Sequence, residues 1–486
     1  MGQIFINSNS NSSPNTWNRN QSAQKHLVLD LASQPTTSPP QTLDMLVDAI
    51  PSNYLSSHGT PVNSVDASKV VLALTGPQNL YRLVELFLDI YLRRCGPGKT
   101  PMDPLTAGSE CGGWRLLLPL WVGQSSILDT AIEAMAASFI GTQYQDVDLS
   151  NHGGKKYLSA LQMVQKALPD LDASERKHLL ATTLVMSSTE LFMSNGGGPS
   201  QLTHVEGATR LMNISLGSVD IEELHVYVLN QGLFEAISSR RSYPCSLPPF
   251  RNLARQVYSV PRASRNDLYF QWCEHVIRLP GILEATDKIV SSTAPMPTSA
   301  VLAVLDDLSE LESLITSWYE LLQSSMTGPW IFPAAQASTD SVPFPLQFVS
   351  IEACTNYCLY WISQLLILEA RQLLYTRLPI HSIPDYGRSE TLFPRILEYA
   401  SLVCRSVQFC THGTSFAATE NMLLPLDIVT SYYMRRGDQH RMDWCISALS
   451  RISHEHKIAY ASDKFNLSNT RVVENTYDPD GVWDHV

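Results

Sequence analysis

Apolar residues recur along most of this chain with the three-to-four-residue period of amphipathic helices. The stretch 78–95 shows the period most clearly, with apolar side chains at Leu80, Leu83, Val84, Phe87, Leu88, Tyr91, Leu92 and Cys95. One stripe of this width buries one face of a helix. The sequence Cys95-Gly96-Pro97-Gly98 then contains the residues that end helices. We therefore predict an amphipathic helix at 78–95.

The same period continues through the rest of the chain. It predicts further helices at 125–143, 155–167, 173–194, 201–215, 220–240, 265–292, 299–325, 345–377, 391–411, 415–435 and 438–461. Clusters of Gly, Pro and Asn separate these stretches, and a sustained two-residue alternation of the strand type is missing. The predicted fold class is all-α, a multi-helix array or bundle.

The composition changes along the chain and predicts three parts. Residues 1–68 are rich in Asn, Ser, Pro and Thr and have little periodic apolar content, so we expect this segment to be largely disordered. Residues 69–461 form the predicted helical domain, with internal seams near the Pro-rich stretches 243–261 and 327–345. Residues 462–486 form a polar, acidic tail.

The charge balance changes the range of partners that we expect. Only 16% of residues are charged, against about 25% in an ordinary soluble domain, so much of the chain must be buried. The net charge is −12, which does not attract a phosphate backbone. The densest basic groups are Arg93–Arg94, Arg240–Arg241 and Arg435, Arg436, His440 and Arg441. We interpret them as charges at helix ends, where cations are favoured, and not as DNA contacts.

Cysteine usage and hydropathy indicate the compartment. Nine cysteines are scattered through apolar helical patterns, as in proteins that keep their thiols reduced. The first 20 residues lack the features of a signal peptide, and the longest apolar stretch, within 352–369, is too short for a membrane span. We predict a soluble protein of the nucleus, with the cytoplasm as the alternative, and no membrane partner.

An all-α enzyme of the terpene-cyclase kind is the catalytic alternative to test. Asp306, Asp307 and Glu310 have the DDxxE spacing, and the stretch from Asn266 to Glu274 resembles the second metal-binding motif of such enzymes. Phe270 stands at the hydroxyl position of that motif and cannot ligate a hard cation, and the two motifs are in reversed order. We interpret the carboxylates as the solvated face of a helix.

Other motifs do not predict a site either. The pairs Cys354/Cys358 and Cys404/Cys410 are not in CxxC spacing. His454 and His456 are two residues apart, so they lie on different sides of a helix and should form a surface pair. Gly196 to Ser200 lacks the Lys-Ser/Thr of a phosphate-binding loop. The sequence therefore predicts no catalytic, cofactor-binding or metal-binding residue, no cofactor, and a protein that is not an enzyme.

A resemblance emerges between residues 114 and 245. It is carried by an Ala-rich helix at 126–137, a Tyr-x-x-Ala-Leu helix at 157–161, a long helix ending at Glu190, a His-x-x-Gly-Ala element at His204, and the segment 234–241 with its Arg pair. In this order and spacing they resemble the fungal-specific transcription factor domain that follows a zinc binuclear cluster. The resemblance implies an all-helical regulatory domain and continues more faintly to about residue 460.

The family's DNA reader contains six cysteines, whereas the first 110 residues here contain only Cys95. The resemblance therefore transfers no DNA-binding residue, and we expect no sequence-specific DNA binding from this chain. We predict a transcription regulator or co-regulator that acts through helical protein contacts with a DNA-binding regulator or with itself. Whether a cysteine-rich segment is encoded upstream of Met1 stays open.

A small-molecule-sensing domain is the alternative function. Trp318, Tyr319, Tyr360 and Trp361 are the aromatic residues that could line an apolar pocket, although a plain core role is the simpler interpretation. We expect His204 to be a hydrogen-bonded packing residue. We expect the small pair Gly207-Ala208 to permit a tight helix crossing.

Overall fold

The protein is described here by a computed structural model. It describes residues 79–92, 113–168, 173–193, 204–209, 211–212, 223–246, 256–257, 267–294, 296–330, 345–379, 383, 389–411 and 414–458. All of these belong to one compact unit, residues 68–486. The predicted segments 1–68 and 462–486 lie outside the described residues, and the seams near 243–261 and 327–345 stay predictions.

Helices account for nearly all regular structure in the described residues. They are α1 (Leu80–Leu92), α2 (Leu118–Trp121), α3 (Ser126–Tyr144), α4 (Val147–Ala167), α5 (Ala173–Glu190), α6 (Glu223–Ser239), α7 (Asp267–Val276), α8 (Leu279–Ser291), α9 (Thr298–Ser325), α10 (Ile351–Tyr375), α11 (Ser389–Thr411), α12 (Phe416–Glu420), α13 (Leu423–Arg435) and α14 (Gln439–His456). Short 3-10 turns lie at Gly113–Leu117 and Pro244–Ser246. Within the described ranges the only β pairing is the isolated bridge between Trp330 and Gln347. The all-α prediction is confirmed.

Burial along the helices follows their apolar pattern. In α9 the buried residues recur every three to four positions, at Val301, Leu305, Leu308, Leu311, Ile315, Trp318 and Leu322, and the opposite face is exposed. Helix α10 is buried on all sides over almost its whole length, as expected for a helix that is apolar around its circumference. It packs against α8, α9, α11 and α13 and is the centre of the second half. One hydrophobic core runs from Leu80 to Ile458.

Two predicted helices are each two helices in the structure. The stretch 265–292 is interrupted between Val276 and Leu279, where Pro280 begins a new helix at its second position. The stretch 415–435 is interrupted after Glu420, and α13 starts at Leu423. In the other direction, α4 begins at Val147, eight residues before the predicted start, because the Asp146 carboxylate caps it by accepting from the Leu149 amide at 3.0 Å.

A close helix crossing joins α3 to α4. A Cβ atom placed on Gly153 would lie 2.3 Å from the Ser138 Oγ and 2.7 Å from the Ser138 amide nitrogen. A Cβ on Gly141 would lie 2.7 Å from the Ser150 nitrogen. No described residue lies within 4 Å of a Cβ on Gly207, so the tight crossing expected at Gly207-Ala208 stays a prediction. The close crossing described here is made by Gly141 of α3 and Gly153 of α4.

None of the described helices combines the length and the apolar character that a membrane crossing requires.

Candidate functional site

A buried arginine lies where four elements of the fold meet. Arg115 belongs to the 3-10 turn Gly113–Leu117, and its Nη2 donates to the Glu420 Oε1 of α12 at 2.9 Å and to the Ser188 Oγ of α5 at 3.2 Å. The guanidinium carbon lies 4.9 Å from the ring centres of both Tyr91 and Trp114, within the range of cation–π attraction. The charge is thus held by one carboxylate, one hydroxyl and two rings.

Glu420 is the counter-charge of this cluster. Its Oε2 accepts from the Tyr91 hydroxyl at 2.5 Å, so each of its two oxygens has a donor. Burial opposes the charged form of Arg115, but Glu420 and Tyr91 outweigh it and raise the pKa of Arg115 above its usual value. The pair is unequally buried, because the Arg115 side chain is 6% exposed and the Glu420 side chain 25%.

One donor of Arg115 is left over. Its Nε is buried and has no hydrogen-bond partner. A buried donor without a partner costs about 1–3 kcal/mol, so native proteins usually satisfy it.

Two other arginines of this protein bind carboxylates through the edge of the guanidinium that Nε and Nη2 form. Arg240 binds Asp287 through Nε at 2.8 Å and Nη2 at 2.7 Å. Arg435 binds Glu369 through Nε and Nη2, both at 2.9 Å. Both pairs are bidentate, the geometry in which arginine holds a carboxylate best. Arg115 is bound to Glu420 through Nη2 alone.

Tyr269 of α7 lies near the Glu420 end of the cluster. Burial raises the pKa of Tyr269 well above its usual value, and the nearby Cys273, Tyr227 and Glu420 add to the shift. The Tyr269 ring lies 6.2 Å from that of Phe234 on α6. This corner of the core therefore combines an ion pair with aromatic rings and hydroxyl groups.

A second polar cluster unites three elements that carry the family resemblance. The Tyr157 hydroxyl of α4 donates to the Glu190 Oε1 of α5 at 2.5 Å and lies 2.7 Å from the His204 Nε2. The His204 Nε2 also lies 3.1 Å from the Glu190 Oε1. These contacts hold the helical segment at 204–209 against α4 and α5, as expected of a hydrogen-bonded packing histidine.

Three arginines of the predicted basic groups, Arg240, Arg435 and Arg441, lie in ion pairs. Glu369, in α10, is buried and accepts from Arg240 and Arg435 together. Burial opposes the ionised form of Glu369, but Arg435 and Arg240 outweigh it and lower the pKa of this carboxyl group. Arg436 lies over the Phe393 ring, and Arg441 pairs with Asp438. Arg93 and Arg94 lie outside the described residues.

The carboxylates of the DDxxE motif are either paired with an arginine or exposed. The Arg278 side chain holds Asp307 at 2.8 Å and Glu310 at 3.0 Å, while Asp306 is exposed. Phe270 is buried in the core, and Asn266 lies outside the described residues. Over the described ranges, no group of three or more His, Cys, Asp or Glu side chains is arranged to hold a metal ion.

The cysteines and histidines that the sequence singled out are mostly core residues. The Sγ atoms of Cys354 and Cys410 lie 3.4 Å apart, and the seven described cysteines are free and buried. His454 is exposed, but His456 is buried and lies 2.9 Å from the Thr419 Oγ1. The predicted surface pair is therefore wrong for His456, because its ring fills the space beside α12.

The predicted pocket aromatics make packing contacts within the fold. Tyr319 and Tyr360 stack with ring centres 3.7 Å apart, and Trp361 lies 5.9 Å from Tyr357. The Trp318 Nε1 donates to the Leu268 carbonyl at 2.8 Å. These contacts are those of a core, and they leave the ligand alternative without its predicted lining.

Comparison with known families identifies one part of the chain as a matching domain. Residues 82–247 match the family model of the fungal specific transcription factor domain. The resemblance predicted for 114–245 is confirmed, and the domain extends it at the N-terminal side to include Tyr91. The domain occupies about a third of the chain and contains Arg115, Tyr157, Glu190 and His204. No curated protein and no solved structure matches the chain.

Sequence reasoning missed the Arg115 cluster. Glu420 is 305 positions away from Arg115, and no local period connects them. One signal was present, because Arg115 is the only charged residue in the apolar run Trp114-Arg115-Leu116-Leu117-Leu118-Pro119-Leu120-Trp121. A charge in such a run must find a partner inside the fold.

Proposed function

We propose that this protein regulates transcription through contacts between its helical body and other proteins. Recognition of DNA is then supplied by a partner protein or by a complex with a second copy of the chain. The fungal specific transcription factor domain supports the role of transcription regulator. Action through protein contacts is supported by the arrangement of charges on the protein. We place the action in the nucleus.

The observation that carries this proposed mode of action is the pairing of several basic side chains with carboxylates of the protein itself. Arg240 and Arg435, two candidates for a basic patch, are bound to Glu369, and Arg441 is bound to Asp438. A guanidinium that is neutralised by a carboxylate does not release counterions from DNA. Together with the net charge of −12, this favours protein contacts over direct contacts with the phosphate backbone.

The test uses the full chain in two settings. Fused to an unrelated DNA-binding domain, it should change the output of a reporter that carries that domain's site, in either direction. Alone, it should bind labelled duplexes only weakly, with a dissociation constant near the non-specific range of about 10⁻⁴–10⁻⁶ M at physiological salt. Tight, sequence-dependent binding of the chain alone would overturn the proposed mode, and an inert fusion would overturn the regulatory role.

A second candidate function, the sensing of a small molecule, is favoured by one observation. The unbonded Nε of Arg115 is a donor that the protein itself leaves without a partner in its interior. A ligand that accepted from this donor would bind and stabilise the helical body. Such a ligand would report its own concentration through the stability or the shape of the domain.

A further inference from the structure

We propose that Arg115 is the anchor of a binding site for a small aromatic or apolar carboxylic acid, and that Glu420 occupies this anchor as an internal competitor when the acid is absent. The proposal rests on the sensing form of the proposed function. It does not depend on how the protein meets other proteins.

The half-used edge of the Arg115 guanidinium selects a carboxylate. Nε and Nη2 of arginine are spaced for the two oxygens of a carboxyl group, and Arg240 and Arg435 both use this edge in that way. At Arg115 the same edge has one bond to Glu420 and an empty Nε. A free carboxylate that takes both nitrogens would make the contact that Glu420 does not complete.

Glu420 is the partner that can be exchanged. A quarter of its side chain is exposed, whereas Arg115 is almost fully enclosed, so Glu420 can turn towards solvent and Arg115 cannot. The exchange keeps one negative charge beside the guanidinium. The site therefore stays electrically balanced, which a neutral ligand would not achieve after displacing Glu420.

The surroundings define the rest of the ligand. Tyr91 and Trp114 cover the guanidinium, and Trp121 stacks on Trp114 with ring centres 5.9 Å apart. Tyr269 lies near Glu420 on the side of α7. A body without charge, and preferably flat, suits these rings, while the hydroxyl group of Tyr91 remains as a donor for the oxygens of the ligand. The chemical class is thus a small organic acid with an aromatic or apolar body.

The experiment measures the binding of benzoate and phenylacetate to the full chain by calorimetry and thermal unfolding, with benzamide and phenylacetamide as matched neutral probes. Three variants accompany the natural protein. Glu420→Gln removes the competing charge and keeps the shape, Arg115→Met removes the anchor, and Arg278→Met is the control. Arg278 is a partly buried arginine in another ion pair with carboxylates, at Asp307 and Glu310.

We expect the acids, and not the amides, to bind and to raise the unfolding temperature. Glu420→Gln should tighten the binding by about tenfold or more, since the weaker competitor gives up roughly 1.4 kcal/mol. Arg115→Met should abolish the binding, and Arg278→Met should leave it unchanged.

Two results would overturn the proposal. One is a lack of acid binding at millimolar concentration in both the natural protein and Glu420→Gln. This result does not depend on whether the Arg115→Met variant folds. The other is binding of the acids that folded Arg115→Met retains. Either result would leave the reporter assay of the fusion unaffected, so a failure of this site is distinguishable from a failure of the regulatory role.

Discussion

The crossing of α3 and α4 offers a prediction with an internal control, because Gly153 and Gly154 are neighbours in the same helix. A methyl group on Gly153 would lie 2.7 Å from the Ser138 nitrogen and 3.0 Å from the Ala134 carbonyl oxygen, both of them backbone atoms that no rotamer change can move away. A methyl group on Gly154 would meet nothing within 4 Å. The two positions share their helix and differ only in what faces them.

The expected effects of alanine therefore have opposite signs. At Gly154 the better helix propensity of alanine should stabilise the fold by up to about 1 kcal/mol. At Gly153 the same gain is opposed by overpacking, which costs typically about 1–3 kcal/mol and more when backbones must separate. We expect Gly153→Ala to unfold at a lower guanidinium concentration than the natural protein and Gly154→Ala at an equal or higher one, in circular dichroism titrations. Midpoints that move together would refute the close approach of the two helices.

Three further predictions concern buried groups. Burial lowers the pKa of His456 to about 4, so between about pH 6.5 and 4 the unfolded chain binds a proton that the folded chain does not. The free energy of unfolding should therefore fall by up to roughly 3 kcal/mol as the pH drops through that window, and by less in His456→Gln. Glu369→Leu strips Arg435 of a buried partner and should cost about 3–5 kcal/mol in urea titrations, while exposed Glu310→Leu should stay within about 0.5 kcal/mol. Because burial raises the pKa of Cys354 well above its usual value, native protein should resist thiol reagents at pH 8 until urea unfolds it, and fast native modification of Cys354 would contradict this.

Local pattern was enough to predict much of the fold. The predicted helix at 299–325 is Thr298–Ser325 in the structure, and that at 125–143 is Ser126–Tyr144, because in both the period of apolar residues is long and regular. The predicted helix boundaries were wrong where the apolar period continues through a break between two helices. Pro280 restarts a helix without disturbing the apolar period, so the sequence at 265–292 looks continuous.

The candidate site was beyond sequence reasoning for a different reason. Ion pairs such as that of Arg240 with Glu369 join residues 129 positions apart, and the pairing depends on how several helices pack. Charge counts predicted helix-end arginines, but they carried no information on which carboxylate each would reach. The resemblance identified Tyr157 and His204 through their motifs, and only the packed helices show that they share Glu190.

The boundary of the matched domain at residue 247 also cuts across bonds that the folded chain makes. The Gln143 side chain donates to the His456 carbonyl at 2.6 Å, and the Ser238 hydroxyl donates to Asp427 at 2.5 Å. Arg115 and Arg240 likewise find their carboxylates among later helices. A fragment that ends at 247 would carry cations and amides cut off from their counterparts. In genetic terms, a nonsense or frameshift allele that truncates the chain before α14 would therefore resemble loss of the domain itself, and such alleles cannot separate regulation from folding.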